Sequence, residues 1–245
     1  TTFFNFTASH DGIGVRPLEG VLSPSEIDRL ADRVHRNGGH VSMRRRADGT
    51  ESPYEFNITY FDALKDPGVS NDPFHIARFL ASQAVALVLP GVPAVYIHSL
   101  LGSRNWASGI EGTGQARTIN REKLSVDTIV VELANPKTIR ARVFQSYRDM
   151  VRVRLRQPAF NPGAGTLVHH IDKRVLTVQR VCPEQTLYAL TNLSDDNLAM
   201  TLPNVEHDLV LTDLLGGRRF TAEDIHMAPY EVLWLEPDSI PKIAS

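Results

Sequence analysis

The segment Asn161–Gly165, "NPGAG", marks a change of hydrophobic period that limits the chain to an architecture with two unlike parts. Upstream, apolar residues recur at helical spacing in segments parted by short apolar runs. Downstream, short runs are cut by turn residues: "TLVHHID", "VLTVQRVC", "TLYALTNLS", "LAMTLP", "DLVLTDLL" and "YEVLWLEP". A helical period does not settle into strands, nor a strand period into helices. The expectation is a β/α part over residues 1–160 and an antiparallel β-sandwich over 161–245.

Within the first part, "TTFFNFTAS" predicts a short buried strand that ends in the turn His10-Asp11-Gly12. Ser23, Pro24 and Glu26 form a helix-start signature, the serine capping and the glutamate closing a capping box. Ile27, Leu30, Ala31 and Val34 follow at helical spacing until Gly38-Gly39 stops the helix. The basic stretch from Val41 to Ser52 suits an exposed loop. Asn71 or Asp72 then caps a second helix through "FHIARFLASQAVALVL", and "VPAVYIH" reads as a buried strand. A long connection, "SLLGSRNWASGIEGTGQARTINREK", leads to a third helix capped by Asn135, with Ile139, Val143, Tyr147 and Met150 on its buried stripe. A structureless connection of that length is usually functional.

A chain of 245 residues can bury a sizeable core. Its 26 lysines and arginines nearly balance 28 acids, a net charge of −2, so no global field draws in nucleic acid or an anionic membrane. Cys182 is the single cysteine, which excludes an internal disulfide and a cysteine-rich zinc site and points to a reducing, cytoplasmic setting. No apolar run approaches the roughly twenty residues that span a bilayer. The chain opens on Thr1, not Met, as a processed or partial chain would.

In a β/α barrel the reactive groups sit on loops that follow the strands. "NFTASHDG" and "VYIHSLLGSRN" therefore present the candidates, although His10-Asp11 by itself is equally a plain turn with Asp11 as its cap. The order "SHDGIG", helix, "SPYEFNITYFDAL", helix, "PGVPAVYIHSLLGSRN", "TGQARTINR", helix and terminal sandwich resembles glycoside hydrolase family 13, the α-amylase family. The resemblance extends over nearly the whole chain and is best to the subfamily of sucrose and glucosylglycerate phosphorylases.

That resemblance implies the last two or so β/α units of a (β/α)8 barrel followed by a C-terminal antiparallel β-sandwich. It implies a retaining mechanism, in which a carboxylate nucleophile and a carboxylic acid/base stand about 5 Å apart. The family takes both from strands before the seventh, and no Asp or Glu here matches either motif. The chain thus reads as beginning at the seventh strand and is expected to be inactive alone. Asp11 matches the third family acid, which stabilises the oxocarbenium-like transition state, with His10 beside it. Arg117 matches an arginine that contacts the glucosyl unit, the alternative being that it pins its own loop; Asn120 and Arg121 are assigned to loop support. Tyr54 and Glu55 match the acceptor loop, where sucrose phosphorylases usually carry glutamine in place of Glu55. The Arg44-Arg45-Arg46 triplet would favour an anionic acceptor such as glycerate, or phosphate, and is otherwise a solvated loop face.

His98 and Trp106 read as structural residues, with substrate contact as their alternative, and Trp234 as core of the last strand. His169, His170 and Glu184 lack ligand spacing, so no metal or cofactor is expected. The partners implied are a sugar substrate and inorganic phosphate, with a homo-oligomer or an upstream half barrel to complete the fold. The rivals are a related glucosidase or transglucosidase, and a non-catalytic module that self-associates.

Overall fold

The computed structural model describes residues 1–238. The opening strand β1, Phe4–Asn5, is shorter than expected and is not buried, Phe4 being 67% exposed. After β2, Ile13–Gly14, helix α1 spans Pro24–Arg36 with the expected capping box: Glu26 N–H donates to Ser23 Oγ and Ser23 N–H to the Glu26 carboxylate. The basic stretch is not a loop. It forms a hairpin of β3, His40–Arg45, and β4, Glu51–Asn57, turned at Arg46–Thr50. Strand pairing tolerates arginines that reach solvent, and composition alone hides it.

Helix α2 covers Tyr60–Ala63 and α3 covers His75–Val88, where Asp72 accepts from Phe74 N–H at the entry. Of "VPAVYIH" only Val92–Pro93 is a strand, β5, paired in parallel with β1, and Val92 is 44% exposed. Ile97–Leu100 turns into helix α4. The long connection contains α5 at Ala107–Thr113 and a 3-10 segment at Ala116–Asn120, and α6 at Val126–Ala134 follows it. Asn135 closes α6 instead of opening the next helix. Helix α7, Ile139–Arg154, is capped by Thr138, whose Oγ1 accepts from Ala141 N–H.

The final segment contains β6 (Gly165–His169), β7 (Val175–Cys182), β8 (Gln185–Asn192), β9 (Leu198–Met200), β10 (Val210–Asp213), β11 (Arg219–Thr221), β12 (Ile225–Met227) and β13 (Val232–Pro237). Three of these, β9, β11 and β12, are only three residues long, and β11 and β12 fall outside the runs picked out in the sequence. Six strands form an antiparallel sheet in the order β11-β10-β13-β8-β7-β6, and β12 pairs with β9. Leu190, Leu211, Leu233 and Leu235 from the large sheet share one apolar cluster with Leu198, Met200, Ile225 and Met227 from the small one. Trp234 is fully buried and meets Phe160 edge to face at 4.9 Å, as core of the last strand.

The contacts divide the chain into two compact units. One holds Thr1–Asn5, Ile76–Ala94 and Gln145–Ser245; the other holds Phe6–His75 and Val95–Phe144. Asn161 thus lies inside the first unit, which joins the sheet segment to the β1–β5 pair and most of α3 and α7. There Gln83 accepts from the Tyr147 hydroxyl at 2.9 Å in the buried seam of those helices. Arg180, fully buried, donates to the carbonyls of Val88, Ala159 and Asn161, which satisfies its charge-bearing group without a counter-ion. The second unit consists of the two excursions that leave β1 and β5. Its core, Val15, Ile27, Val34, Phe56 and Ile58, packs α1 on the β2–β4–β3 sheet. No helix among the described residues is long and apolar enough to cross a membrane.

Candidate active site

All of the sequence-derived site residues fall in the second unit. His10 and Asp11 occupy the two central positions of a tight turn closed by reciprocal backbone bonds between Ser9 and Gly12, at 3.1 and 3.2 Å. Gly12 has φ of +126°, and a Cβ there would stand 2.2 Å from the Phe56 carbonyl oxygen. Only glycine satisfies both demands, so the turn rests directly on β4.

Three consecutive carbonyls of this turn are gripped by side chains. Asn120 Nδ2 donates to Ser9 O at 2.6 Å, Arg121 Nε to His10 O at 2.9 Å, and Asn57 Nδ2 to Asp11 O at 3.1 Å. Asn57 and Asn120 are buried at 0% and 1% exposure, where an amide without partners would be costly. Tyr96 supports the second of them, donating from its hydroxyl to Asn120 O at 2.7 Å, and burial pushes its phenol pKa up.

The Asp11 carboxylate lies among cations. Arg121 Nη2 donates to its Oδ1 at 2.5 Å, Arg117 Nη1 stands 3.4 Å from the same oxygen, and His10 Nε2 is 3.4 Å from Oδ2. The charge-assisted pair with Arg121 holds one oxygen and leaves the group one-third exposed, open to hydroxyls of a ligand. His10 and Arg117 are about half to two-thirds exposed, so both retain donors for an incoming group.

Glu55 enters through Asn57, whose Nδ2 also donates to Glu55 Oε2 at 3.0 Å; Ser42 Oγ fixes the amide by donating to its Oδ1 at 2.6 Å. Tyr54 is the extra residue of a β-bulge: Ser42 pairs with Glu55 and Met43 with Pro53, which leaves Tyr54 unopposed and 43% exposed. Bulges re-aim side chains in this way.

The structure therefore joins His10, Asp11 and Arg117 directly and Glu55 through one amide. Arg121, read from sequence as loop support, makes the tighter contact with Asp11. Asn57 was not singled out, though an asparagine between Phe56 and Ile58 in an apolar run is itself a sign of a buried hydrogen-bonding role. Arg44 instead pairs with Glu19 at 2.8 Å, and Arg46 stands 4.0 Å from the same carboxylate. His98 is a buried structural residue bonded to Ser103 Oγ at 2.9 Å, and burial lowers its pKa. Trp106 forms the cap of α5 and packs on Gly109. No group of metal-ligating side chains occurs among the described residues.

No protein-family model matches the chain. The glucosylglycerate phosphorylase of Spirochaeta thermophila is 39% identical over 96% of the chain, and the sucrose phosphorylase of Agrobacterium vitis 36% identical over 62%. The chain belongs to the phosphorylase branch of the α-amylase family. It spans 42% of the length of the Spirochaeta relative and 30% of the Agrobacterium one. Among solved members of this family, the sucrose 6F-phosphate phosphorylase of Thermoanaerobacter thermosaccharolyticum superposes with a TM-score of 0.64 over 89% of the chain and 39% of its own, at 20% identity. That likeness shows the fold, and the α-amylase family pairs a barrel with a C-terminal sheet domain.

Proposed function

We propose that the chain is the C-terminal part of a retaining phosphorylase that moves a glucosyl unit from glucosylglycerate to inorganic phosphate, giving α-glucose 1-phosphate. The observation that carries this reading is the Asp11 carboxylate, presented on a turn that follows β1 and flanked by Arg121 and Arg117. In this reading β1 and β5 are the last two barrel strands, and the active residues lie on the excursions beyond their ends. The glycosidic C1–O bond breaks as glycerate takes a proton from a carboxylic acid and C1 bonds to a carboxylate; that C1–carboxylate bond then breaks as a phosphate oxygen attacks C1, the phosphate proton returning to the group that served as acid. Both of those carboxyl groups come from residues outside the 245. Asp11 accepts hydrogen bonds from glucosyl hydroxyls that tighten as positive charge develops at the ring, and Arg121 fixes the position and charge of that acceptor. His10 and Arg117 contact the glucosyl unit or the phosphate. Tyr54 and Glu55 meet the leaving acceptor.

Glycerate is preferred over fructose because similarity to glucosylglycerate phosphorylases runs over 96% of the chain, whereas with the Agrobacterium sucrose phosphorylase it stops at 62%. Glu55 supports the same choice.

The test is release of glucose 1-phosphate from glucosylglycerate and from sucrose in phosphate buffer. It compares the chain alone with a fusion to the N-terminal part of the Spirochaeta relative, each with an Asp11→Asn control. The chain alone is expected to be silent and the fusion active, with Asp11→Asn lowering kcat by about 10²–10³-fold. A properly folded fusion that releases nothing from either donor ends the phosphorylase reading. A second reading, self-association, draws on α6, where Val126, Val130 and Val131 are 60–73% exposed; sedimentation showing a concentration-dependent dimer would favour it.

A further inference from the structure

We propose that Asn57 is a positioning residue that couples the acceptor side of the site to Asp11, so that the choice of acceptor is felt in the rate of glucosyl transfer and not only in binding. The proposal rests on the roles given above to Asp11 and Glu55. A single nitrogen, Asn57 Nδ2, donates both to the Asp11 carbonyl and to the Glu55 carboxylate, at 3.1 and 3.0 Å. The amide is not free to turn, because Ser42 Oγ holds its oxygen at 2.6 Å and the side chain is fully buried. Any displacement of the Glu55 carboxylate, as when it accepts a hydroxyl of the leaving group, is therefore passed to the amide and on to the backbone that carries Asp11.

The rest of the turn favours this route. Ser9 and His10 carbonyls are held by Asn120 and Arg121, from the excursion after β5, while the Asp11 carbonyl is held from β4. Of the three carbonyl contacts, the one on Asp11 itself thus comes from the strand carrying Tyr54 and Glu55, while Arg121 holds the carboxylate directly. The backbone pairing of Gly14 with Glu55 and of Ile13 with Phe56 keeps the two segments in fixed register, so the side-chain link works across a rigid base.

The test is a double-mutant cycle on the chain itself, read at the Gly12 amide by NMR hydrogen exchange, since that N–H closes the turn onto Ser9 O. Glu55→Ala is expected to speed Gly12 exchange on the order of tenfold, and to have no further effect in an Asn57→Ala background. Unchanged exchange in Glu55→Ala, or an equal acceleration in both backgrounds, overturns the coupling. Should Asn57→Ala fail to fold, Asn57→Asp keeps the volume while replacing the donor by an oxygen, and the same non-additivity is expected. The active fusion gives the functional reading: Glu55→Ala should lower kcat as well as raise the acceptor KM, with the kcat part disappearing once Asn57 is gone. Coupling at Gly12 without any glucosyl transfer would refute the phosphorylase reading and leave standing only the structural link from Glu55 through Asn57 to the Asp11 turn.

Discussion

The Ser9–Gly12 turn and the six-stranded sheet are ordered by opposite means. In the sheet, strands such as β7 and β8 are matched residue by residue from Val175–Asn192 to Cys182–Gln185, and side chains contribute through a common apolar cluster. In the turn, the backbone makes only its own closing pair; the His10 and Asp11 carbonyls are met by Arg121 and Asn57, and Asn120 adds a second bond to the Ser9 carbonyl. A ladder spreads its stabilisation over many equivalent contacts, so loss of one is shared by its neighbours. A clamp of single contacts fixes one carboxylate in space but has no redundancy. Precision at a reacting group calls for the second kind of construction, and tolerance of change for the first.

Three substitutions or conditions bear on that contrast. Trp234→Ala is expected to have the largest effect on stability, about 3–5 kcal/mol, because it empties a fully buried site against Phe160. Urea unfolding measures it, and the contrast holds if Gly12 amide protection is unchanged in conditions where the mutant stays folded. Gly12→Ala is expected to cost about 1–3 kcal/mol from a strained positive φ, with additional displacement of the turn where the new Cβ meets the Phe56 carbonyl. NMR shifts confined to residues around Ser9–Gly12 and β4 would sharpen the contrast, and shifts throughout the sheet would break it.

The smallest effect concerns acid. Burial lowers the pKa of His75 and of His98 below the ordinary 6.5, so each is favoured neutral in the folded chain. A depressed folded pKa means that the unfolded state binds more protons, hence stability rises with pH in this range. Their contribution is complete above about pH 6.5 and is lost as pH falls through the folded values. Urea midpoints between pH 7.5 and 5 should decline, and His75→Gln with His98→Gln should flatten the decline. A decline that persists in the double variant would assign the acid sensitivity to the carboxylates instead.

The same contrast explains what was legible in the sequence. The ladder region announced itself through alternation and turn residues, and its six principal strands lie where the pattern placed them, the three-residue β9 included; β11, Arg-Phe-Thr, and β12, Ile-His-Met, were not marked out in the same way. Helix α1 was legible because its start depends on local spacing, Ser23 to Glu26. The β3–β4 hairpin was not, since arginines on an exposed edge look like a loop; α5 was hidden by its glycines in a loop-like stretch, and α6, just after it, by β-branched valine. At the site, His10 and Asp11 could be picked out by motif, whereas the dominance of Arg121 over Arg117 depends on which guanidinium reaches a carboxylate more than a hundred residues earlier. Contacts of that range leave no local period.

The bulge at Tyr54 has a consequence for rebuilding this molecule. Because the strands change register between Ser42 and Met43, the hairpin tip at Arg46–Thr50 lies beyond a mechanical break in the ladder. Extra residues grafted at Ala47-Asp48-Gly49 would lengthen an exposed ribbon while the bulge absorbs the change in twist, and the pairing of Glu55 with Ser42 would keep its place. The tip is thus a point at which a reporter peptide or a recognition sequence can be installed without retuning the carboxylate at Asp11.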